Sequence, residues 1–585
     1  MAPADSRTSG LEDVTKERAL HAIGRVPTGV AAFVGRTLKG PVNRPVAISS
    51  FSDFQHIFGG LWQPAPVSYA IDHYFENGGR RAFVVRVVNG ARPPTITLPA
   101  GSSNLRLIGV NPGSREFLRA SVDYDGIPDG DADSFNLVLQ RVRSAGSELI
   151  EDQEIFRRLS VLGQSGRFVT NVLLESHLAR VHGPVPIKRP ERSATGGSRS
   201  AIGYAVSNPD GDDGAPLTDY DVIGSATDST GMFALQVAPA FNLLCVPPLT
   251  RDHDVGLSTL LVAAKFCRDR HAILIVDPPS TWISPRTALE ALRNWPFRSD
   301  SAVMYFPRVQ SFDRLRGRAE TFASCGAAAG MIARSDEASP VWAATESEES
   351  FLRPGLRPAA VVSDLERVRL SKAGVNTLVS SRSNVRQGLS PRTLAAGGVG
   401  ASDWKYLSAR RLALFVASSI EQGTRWVLME PNIPSTWERA RALVDAFLEA
   451  LAEQGAFVGT SPDESHFAIA DNRVNREQTV AEGTFNLLYG FATSKPGEFD
   501  TWMVTHRPGS SRVRPVSVNR LATSKHRVEW EIETAILRGH SWLSPMALPA
   551  PRVPSVSVRA NGAAAPLISN DSVGANAADT HLLAP

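Results

Sequence analysis

Ser435-Thr436-Trp437-Glu438-Arg439-Ala440-Arg441-Ala442-Leu443-Val444-Asp445-Ala446-Phe447-Leu448-Glu449-Ala450-Leu451-Ala452-Glu453-Gln454-Gly455 is the clearest helical pattern in the chain. Trp437, Ala440, Leu443, Val444, Phe447, Leu448 and Leu451 recur at the three- and four-residue steps of one buried face. Glu438, Arg439, Arg441, Asp445, Glu449 and Glu453 take the other face. Ser435 with Glu438 spells a capping box, and Gly455 stands where a helix ends. Upstream, a helical run from Asp403 to Gln422 stops at Gly423, and Thr424 to Met429 reads as a short strand closed by Glu430-Pro431-Asn432. Downstream, Ala456–Gly459 and His466–Ala470 read as two more strands. Helix, strand, helix, strand describes a compact α/β unit.

A chain of 585 residues is too long for one hydrophobic core, so several domains are expected. A net charge of only +3 argues against nucleic-acid binding carried by bulk charge. Cys245, Cys267 and Cys325 cannot build a disulfide framework and have no zinc-site spacing, so they are expected as buried small hydrophobes in a reducing compartment. Met1–Leu20 lacks the apolar core of a signal peptide, and no run approaches the roughly 18 apolar residues of a membrane span. These features describe a cytoplasmic protein with no membrane insertion.

Along the chain, Val30–Gly35, Val46–Ser49 and Arg81–Val88 read as strands, with helices over 52–59 and 66–77. Residues 91–182 are strand-rich. A Pro/Gly/Ser/Asp stretch, 183–218, reads as a linker or long loop. From 219 to 399, strands (Phe241–Val246, Ala272–Val276, Ala302–Phe306) alternate with helices (Leu257–Arg268, Ser284–Trp295), which implies a parallel or mixed sheet. Arg512–Asn519 is a strand candidate, Val528–Leu537 a short helix or strand, and 544–585 has the composition of a flexible tail.

Several motifs, in a fixed order, resemble the contractile tail sheath proteins of phages and phage-tail-like contractile injection systems. They are Phe33-Val34-Gly35, Gly40-Pro41, Phe54 with Phe58-Gly59, and Gly78-Gly79 before an apolar strand. Further on come Asp277-Pro278-Pro279, Tyr305-Phe306-Pro307, Gly374-Val375-Asn376 and Arg392-Thr393-Leu394. Arg410-Arg411-Leu412, Trp426 with Glu430-Pro431-Asn432, Trp437 and Lys495-Pro496-Gly497-Glu498-Phe499 complete the series. The chain departs from the family in two places. No Pro-Gly-Val-Tyr strand motif occurs in Met1–Pro27, and the chain continues well past the family's usual end near residue 507.

The resemblance implies a multidomain α/β (α+β) fold with a discontinuous inner α/β domain, formed by 23–90 together with 400–507. The strand-rich domain 91–182, the linker 183–218 and the α/β domain 219–399 would be outer parts. Residues 1–22 and 508–543 would be arms, with strand candidates in 13–27 and in Phe499–Thr505. It further implies a structural subunit and no enzyme, needing no cofactor. Many copies would stack as rings or a helix around an inner tube protein, with baseplate and terminator or cap proteins at the ends. Trp426, Trp437, Phe447 and Leu451 would anchor the inner domain. Arg410, Arg411, Arg425, Arg439 and Arg441 would face the tube, and Phe499, Trp502 and Val504 would lie in an inter-subunit strand.

Other chemistry is weighed against plainer readings. Asp123, Asp125, Asp129, Asp131 and Asp133 suggest calcium, but counting from Asp129 the loop has Ser134 and Gln140 where an EF-hand needs Gly and Glu, so a hairpin turn is preferred. His253 beside Asp252 and Asp254, with Asp277 at a strand end, allows an alternative reading as a hydrolase-like multidomain enzyme. Neither a nucleophile elbow nor a P-loop accompanies them. His177 and His182 are spaced wrongly for two ligands on one helix face.

Overall fold

The computed structural model describes residues 22–193, 203–343, 351–380, 389–398 and 404–516. Residues 1–21 of the expected arm, the run 528–537 and the tail 544–585 lie outside them. Of the strand candidate 13–27, residues 22–27 are described and form no strand.

From Ala31 the chain lays down β1 (Ala31–Gly35), β2 (Val46–Ile48) and β3 (Ala82–Arg86), with β1 and β3 buried along their whole length. Unbroken apolar runs such as Ala31-Ala32-Phe33-Val34 suit strands covered on both faces. Helix α1 (Phe51–Phe58) begins where the Ser50 hydroxyl accepts the Asp53 N–H at 3.1 Å, and it turns Phe54 and Phe58 inward. Helix α2 (Pro66–Glu76) opens on a proline, whose missing N–H costs nothing in a first turn.

An inserted body follows. Strands β4 (Thr95–Ala100), β5 (Ser103–Gly109), β6 (Leu118–Asp123), β7 (Ser134–Val142), β8 (Ile150–Ser160), β9 (Ala179–Val181) and β10 (Ala205–Val206) form two antiparallel sheets, ordered β4-β5-β9 and β10-β6-β7-β8. Leu98, Leu107, Phe135, Leu137 and Leu159 lie in their shared core. The described part of the expected linker 183–218 belongs largely to this body. The Ser193 N–H reaches the Val122 carbonyl at 3.0 Å, Arg189 stacks on Tyr124, and Ala205 pairs with Ala120. Backbone groups of β6 left free by β7 give the polar stretch somewhere to bond.

The chain then returns to its first sheet through β11 (Leu243–Cys245), α3 (Leu257–Asp269), β12 (Ile273–Val276), α4 (Pro285–Leu292) and β13 (Ala302–Phe306). A hairpin, β14 (Val309–Asp313) and β15 (Arg318–Phe322), leads into α5 (Cys325–Ala338), and β16 (Arg357–Pro358) joins the hairpin. With β17 (Asn376–Thr377) the seven-stranded sheet reads β17-β13-β12-β11-β1-β3-β2, parallel except for β2 at its edge. Residues 31–86 therefore share a sheet with 243–377, and the expectation that 23–90 folds into one domain with 400–507 is corrected. The reason is visible in the strands: Leu243-Leu244-Cys245, Ile273-Ile275 and Ala302-Phe306 are the same uninterrupted apolar type as β1. Only Ala22–Thr28 runs over the C-terminal unit, with Val26 in its core and the Val26 N–H 3.4 Å from Ser419 Oγ.

Helix α5 opens on an unbroken run of small residues, Cys325–Gly330, and packs against α2 at very short range. A methyl at Gly326 would fall 1.9 Å from the Ala70 carbonyl oxygen, and one at Gly330 would fall 2.4 Å from that of Tyr74.

The C-terminal unit consists of α6 (Leu407–Gly423), a 3-10 turn over Arg425–Met429, α7 (Pro434–Glu453) and an antiparallel sheet ordered β18 (His466–Ile469), β19 (Phe485–Ala492), β20 (Phe499–Arg507) and β21 (Ser510–Pro515). Three local expectations change. Thr424–Met429 is no strand, because its N–H groups close i→i+3 bonds such as Val427 to Thr424 at 3.2 Å. Pro434 starts α7 one residue before Ser435, so no capping box forms and Glu438 pairs with Arg441 at 2.7 Å. Ala456–Gly459 is a loop, since Gly455 (φ +75°) ends α7 in a Schellman turn with the Ala456 N–H on the Leu451 carbonyl.

Gly326→Ala should lower stability by about 1–3 kcal/mol or more, since α2 and α5 must part to admit the methyl. Gly163→Ala, with open space around the new atom, is the control. Thermal unfolding of both variants tests this, and a melting temperature for Gly326→Ala equal to the control would sink it.

Candidate assembly surfaces

Helix α7 presents its apolar face to the sheet as its periodicity requires. Trp437, Phe447 and Leu451 are buried there with Val444 and Leu448, against Leu487, Tyr489, Phe491 and Trp502. The Trp437 indole N–H donates to Asn432 Oδ1 at 2.6 Å, and Asn432 Nδ2 donates to the Thr484 carbonyl at 3.0 Å. One side chain of Glu430-Pro431-Asn432 thus ties the helix start to the strand region. Trp426 is half-buried, with the Arg439 guanidinium 4.6 Å from its ring.

The five arginines separate into two groups. Arg410 is buried and reaches Asp300 at 3.5 Å and Ser301 Oγ at 3.1 Å, and Arg411 is buried against Asp336 and the Thr28 carbonyl. Both point into the chain, so the expectation of an outward role is corrected for them. They fall on the side of α6 that docks on the central sheet. Arg425, Arg439 and Arg441 lie at the surface, beside Glu421, Glu430 and Glu438. Met429 is 91% exposed next to them, with Leu428 and Ile433 also exposed, an apolar patch that the strand reading of Thr424–Met429 hid.

Phe499, Trp502 and Val504 are buried in β20, which is hydrogen-bonded on both sides by β19 and β21. No edge remains there for another chain, which corrects their placement in an inter-subunit strand. Among the described residues, the unpaired edges of this sheet are those of β18 and β21. An exposed edge offers rows of N–H and C=O groups to any strand that meets it.

Two residues of the hydrolase reading, Asp277 and Asp254, make contacts that hold the fold. Asp277 Oδ1 accepts the N–H groups of Ser324 at 2.7 Å and Cys325 at 2.8 Å, holding the start of α5. Burial pushes the Asp277 carboxyl upward. Asp254 binds Arg308 and Ser280, while His253 is exposed. In the acidic run, Asp123 and Asp131 accept N–H groups of Asp125, Asp133 and Ser134 around the β6–β7 turn. His177 reaches two carboxylates, Asp152 at 2.9 Å and Glu154 at 2.7 Å. Among the described residues no group of three His, Cys, Asp or Glu is placed to hold a metal ion, and no helix is long and apolar enough to cross a membrane.

His506 joins three elements of the C-terminal unit. Its ring nitrogens lie 2.8 Å from Thr424 Oγ1 and 2.7 Å from Ser511 Oγ. Burial, and then the charge of Arg425, push its pKa down to about 4. The unfolded chain therefore takes up the proton first on acidification, and the His506 contribution to stability falls from about pH 6.5 down to about 4 by up to about 3 kcal/mol, while Asp72, raised to about 6 by burial, contributes with the opposite sign. His73, pushed down to about 4 by burial, adds a slope of the same sign as His506. His506→Gln should flatten the pH dependence of unfolding in that window relative to the parent chain, and identical slopes would remove His506 from the account. Trp437→Ala, which deletes a buried aromatic and its bond to Asn432, should cost about 3–5 kcal/mol in denaturant unfolding; a loss under about 1 kcal/mol would show the helix anchored elsewhere.

No known family profile matches the chain, and no curated protein matches it. Solved structures do. The sheath tail protein of Listeria innocua superposes with a TM-score of 0.55 at 12% identity, over 85% of this chain and 99% of that one. A sheath tail protein of Desulfitobacterium hafniense gives 0.44 at 11% identity, over 84% and 97%. The sheath complex of an extracellular contractile injection system (PVC), in its contracted state, gives 0.47 at 15% identity, over 82% and 91%. The likeness to the Listeria protein establishes that this chain has the fold of a tail sheath protein.

Proposed function

We propose that the chain is the structural subunit of a contractile sheath, polymerising around an inner tube and shortening to drive that tube forward. One observation carries the reading: the fold matches that of a tail sheath protein over 85% of this chain and 99% of that one. Polymerisation needs a heterologous contact that does not close on itself. Strand addition at the β21 or β18 edge supplies one, with backbone hydrogen bonds giving strength and little sequence demand. The donor is the N-terminal arm of a neighbouring copy, residues 1–21.

The surface facing the tube is the patch of Leu428, Met429 and Ile433 with Arg425, Arg439 and Arg441. It combines exposed apolar area with cations, which suits a partner with acidic rims around small apolar pockets. Baseplate and terminator proteins would cap the polymer ends. The work of contraction comes from differences in subunit packing, and the subunit itself needs no cofactor.

Purified protein should sediment as large particles and show tubes or rings by electron microscopy. A stable monomer or small oligomer at high concentration would count against the sheath reading. Deleting residues 1–21 should leave a folded subunit, judged by an unchanged melting temperature, that no longer forms long tubes. Normal tubes from that truncation would move the linking strand to the other end of the chain.

A further inference from the structure

Reactive sulfur is nearly absent from the surface of this molecule. Cys245, Cys267 and Cys325 are buried, and burial pushes the thiols of Cys267 and Cys325 up, away from the reactive thiolate. Met232, Met304 and Met503 are fully buried and Met331 nearly so. Met429 is 91% exposed, so among the described residues it holds the only sulfur open to water. Its neighbours build that exposure. The 3-10 turn Arg425–Met429 keeps Val427 inside and turns Leu428 and Met429 out. Three residues on, Asn432 is fastened to the Trp437 indole at 2.6 Å and to the Thr484 carbonyl at 3.0 Å. The backbone is thus held on both sides of Met429. As a thioether, Met429 adds flexible apolar area beside the exposed Leu428 and Ile433. As a sulfoxide it would carry a strongly polar S–O group, which is costly to bury without a hydrogen-bond partner.

We infer that Met429 is an oxidation site, open in the free subunit, at which a hydroperoxide turns an apolar contact surface into a polar one. The sulfur lone pair attacks one peroxide oxygen. An S–O bond forms as the O–O bond breaks, and sulfur gives up two electrons. The departing oxygen takes the proton of the transferred one and leaves as water or an alcohol. Because a thioether needs no deprotonation, the step runs at neutral pH, and reductases that act on methionine sulfoxide reverse it. The consequence rests on the tube-facing placement of this patch proposed above. A subunit oxidised before assembly meets the tube with a polar group among Leu428 and Ile433. A subunit already in place has Met429 covered and escapes the reaction. Oxidation therefore acts on entry into the sheath and spares the finished assembly.

Hydrogen peroxide on the full chain, followed by peptide mass mapping, tests the site. In dissociated subunits Met429 should oxidise about tenfold or more faster than Met304 and Met503, which react only through local opening. Equal rates would overturn the site. In particles isolated from expressing cells, oxidation of Met429 should slow about tenfold or more. An undiminished rate there would overturn the shielding, and with it the tube-facing placement, while the free-subunit site stood. Finally, peroxide-treated subunits should bind tubes recovered from the same particles about tenfold more weakly than untreated ones. In Met429→Leu the treatment should cause no loss, whatever affinity that variant starts from. Equal loss in both chains would assign the effect to another residue and overturn the consequence. Failure of the untreated chain to assemble at all would count against the sheath reading, with the rates in dissociated subunits still deciding the site.

Discussion

The parallel pairing of β1 with both β3 and β11 is the constraint on which the rest depends. Phe33 lies beside Val84 on one side and Cys245 on the other. The first partner is close in sequence; the second is reached only after the whole inserted body has been built. Each of these strands is apolar on both faces, so none can sit at the surface, and each face needs its own helices. Helices α1, α2 and α5 fill one side and α3 and α4 the other. The glycines of α5 let it lie close to α2, which leaves room for Leu407 and Leu414 of α6 on the same side.

The inserted body meets this core through polar contacts. Lys39 pairs with Glu151 of β8, and both side chains are nearly excluded from water. Arg36 donates to the carbonyls of Asp213 at 2.7 Å and Gly214 at 2.9 Å, and Asp213 accepts from Ser114. Arg86, fully buried, donates to the Gly40 carbonyl at 2.7 Å, and burial pushes its pKa down to about 10 against the pull of Glu116 and Asp213. Such a junction fixes an orientation by geometry more than by buried apolar area, and losing one partner leaves a charge stranded.

Much of this was legible in the sequence, for stated reasons. Ala302–Phe306 is a continuous apolar run between turn signals and appears as β13 with the expected bounds. The 3.6-residue period of Trp437 to Leu451 gave α7 its buried face. Pairing partners were hidden, because nothing in a local apolar run says which distant run lies beside it; hence the misplacement of 23–90. Thr424–Met429 failed for another reason. Six residues, four of them apolar, fit a strand or a turn, and the bonds of Thr424, to the Ile420 carbonyl one turn back and to the distant His506, decide between them. Helix α5 gives no amphipathic signal, because its first nine residues, mostly Ala and Gly, are all buried and offer little polar contrast. Arg410 and Arg411 look like surface cations in sequence and prove to be internal ties.

Those two ties set how the C-terminal unit moves with the core. Arg410 reaches Asp300, just before β13, and Arg411 reaches Asp336 on α5, each from consecutive positions of α6. The Arg411–Asp336 pair is nearly excluded from water at the join, and the buried Arg410 meets a partly exposed Asp300, with Leu407 and Leu414 nearby in the core. Two ion pairs to two different elements resist both sliding and rotation of α6, since either motion would strand the desolvated guanidinium of Arg410 or Arg411. The central sheet and the C-terminal unit are thereby held together as one body. The inserted body, by contrast, is attached through loops around Lys39, Asp213 and Gly214.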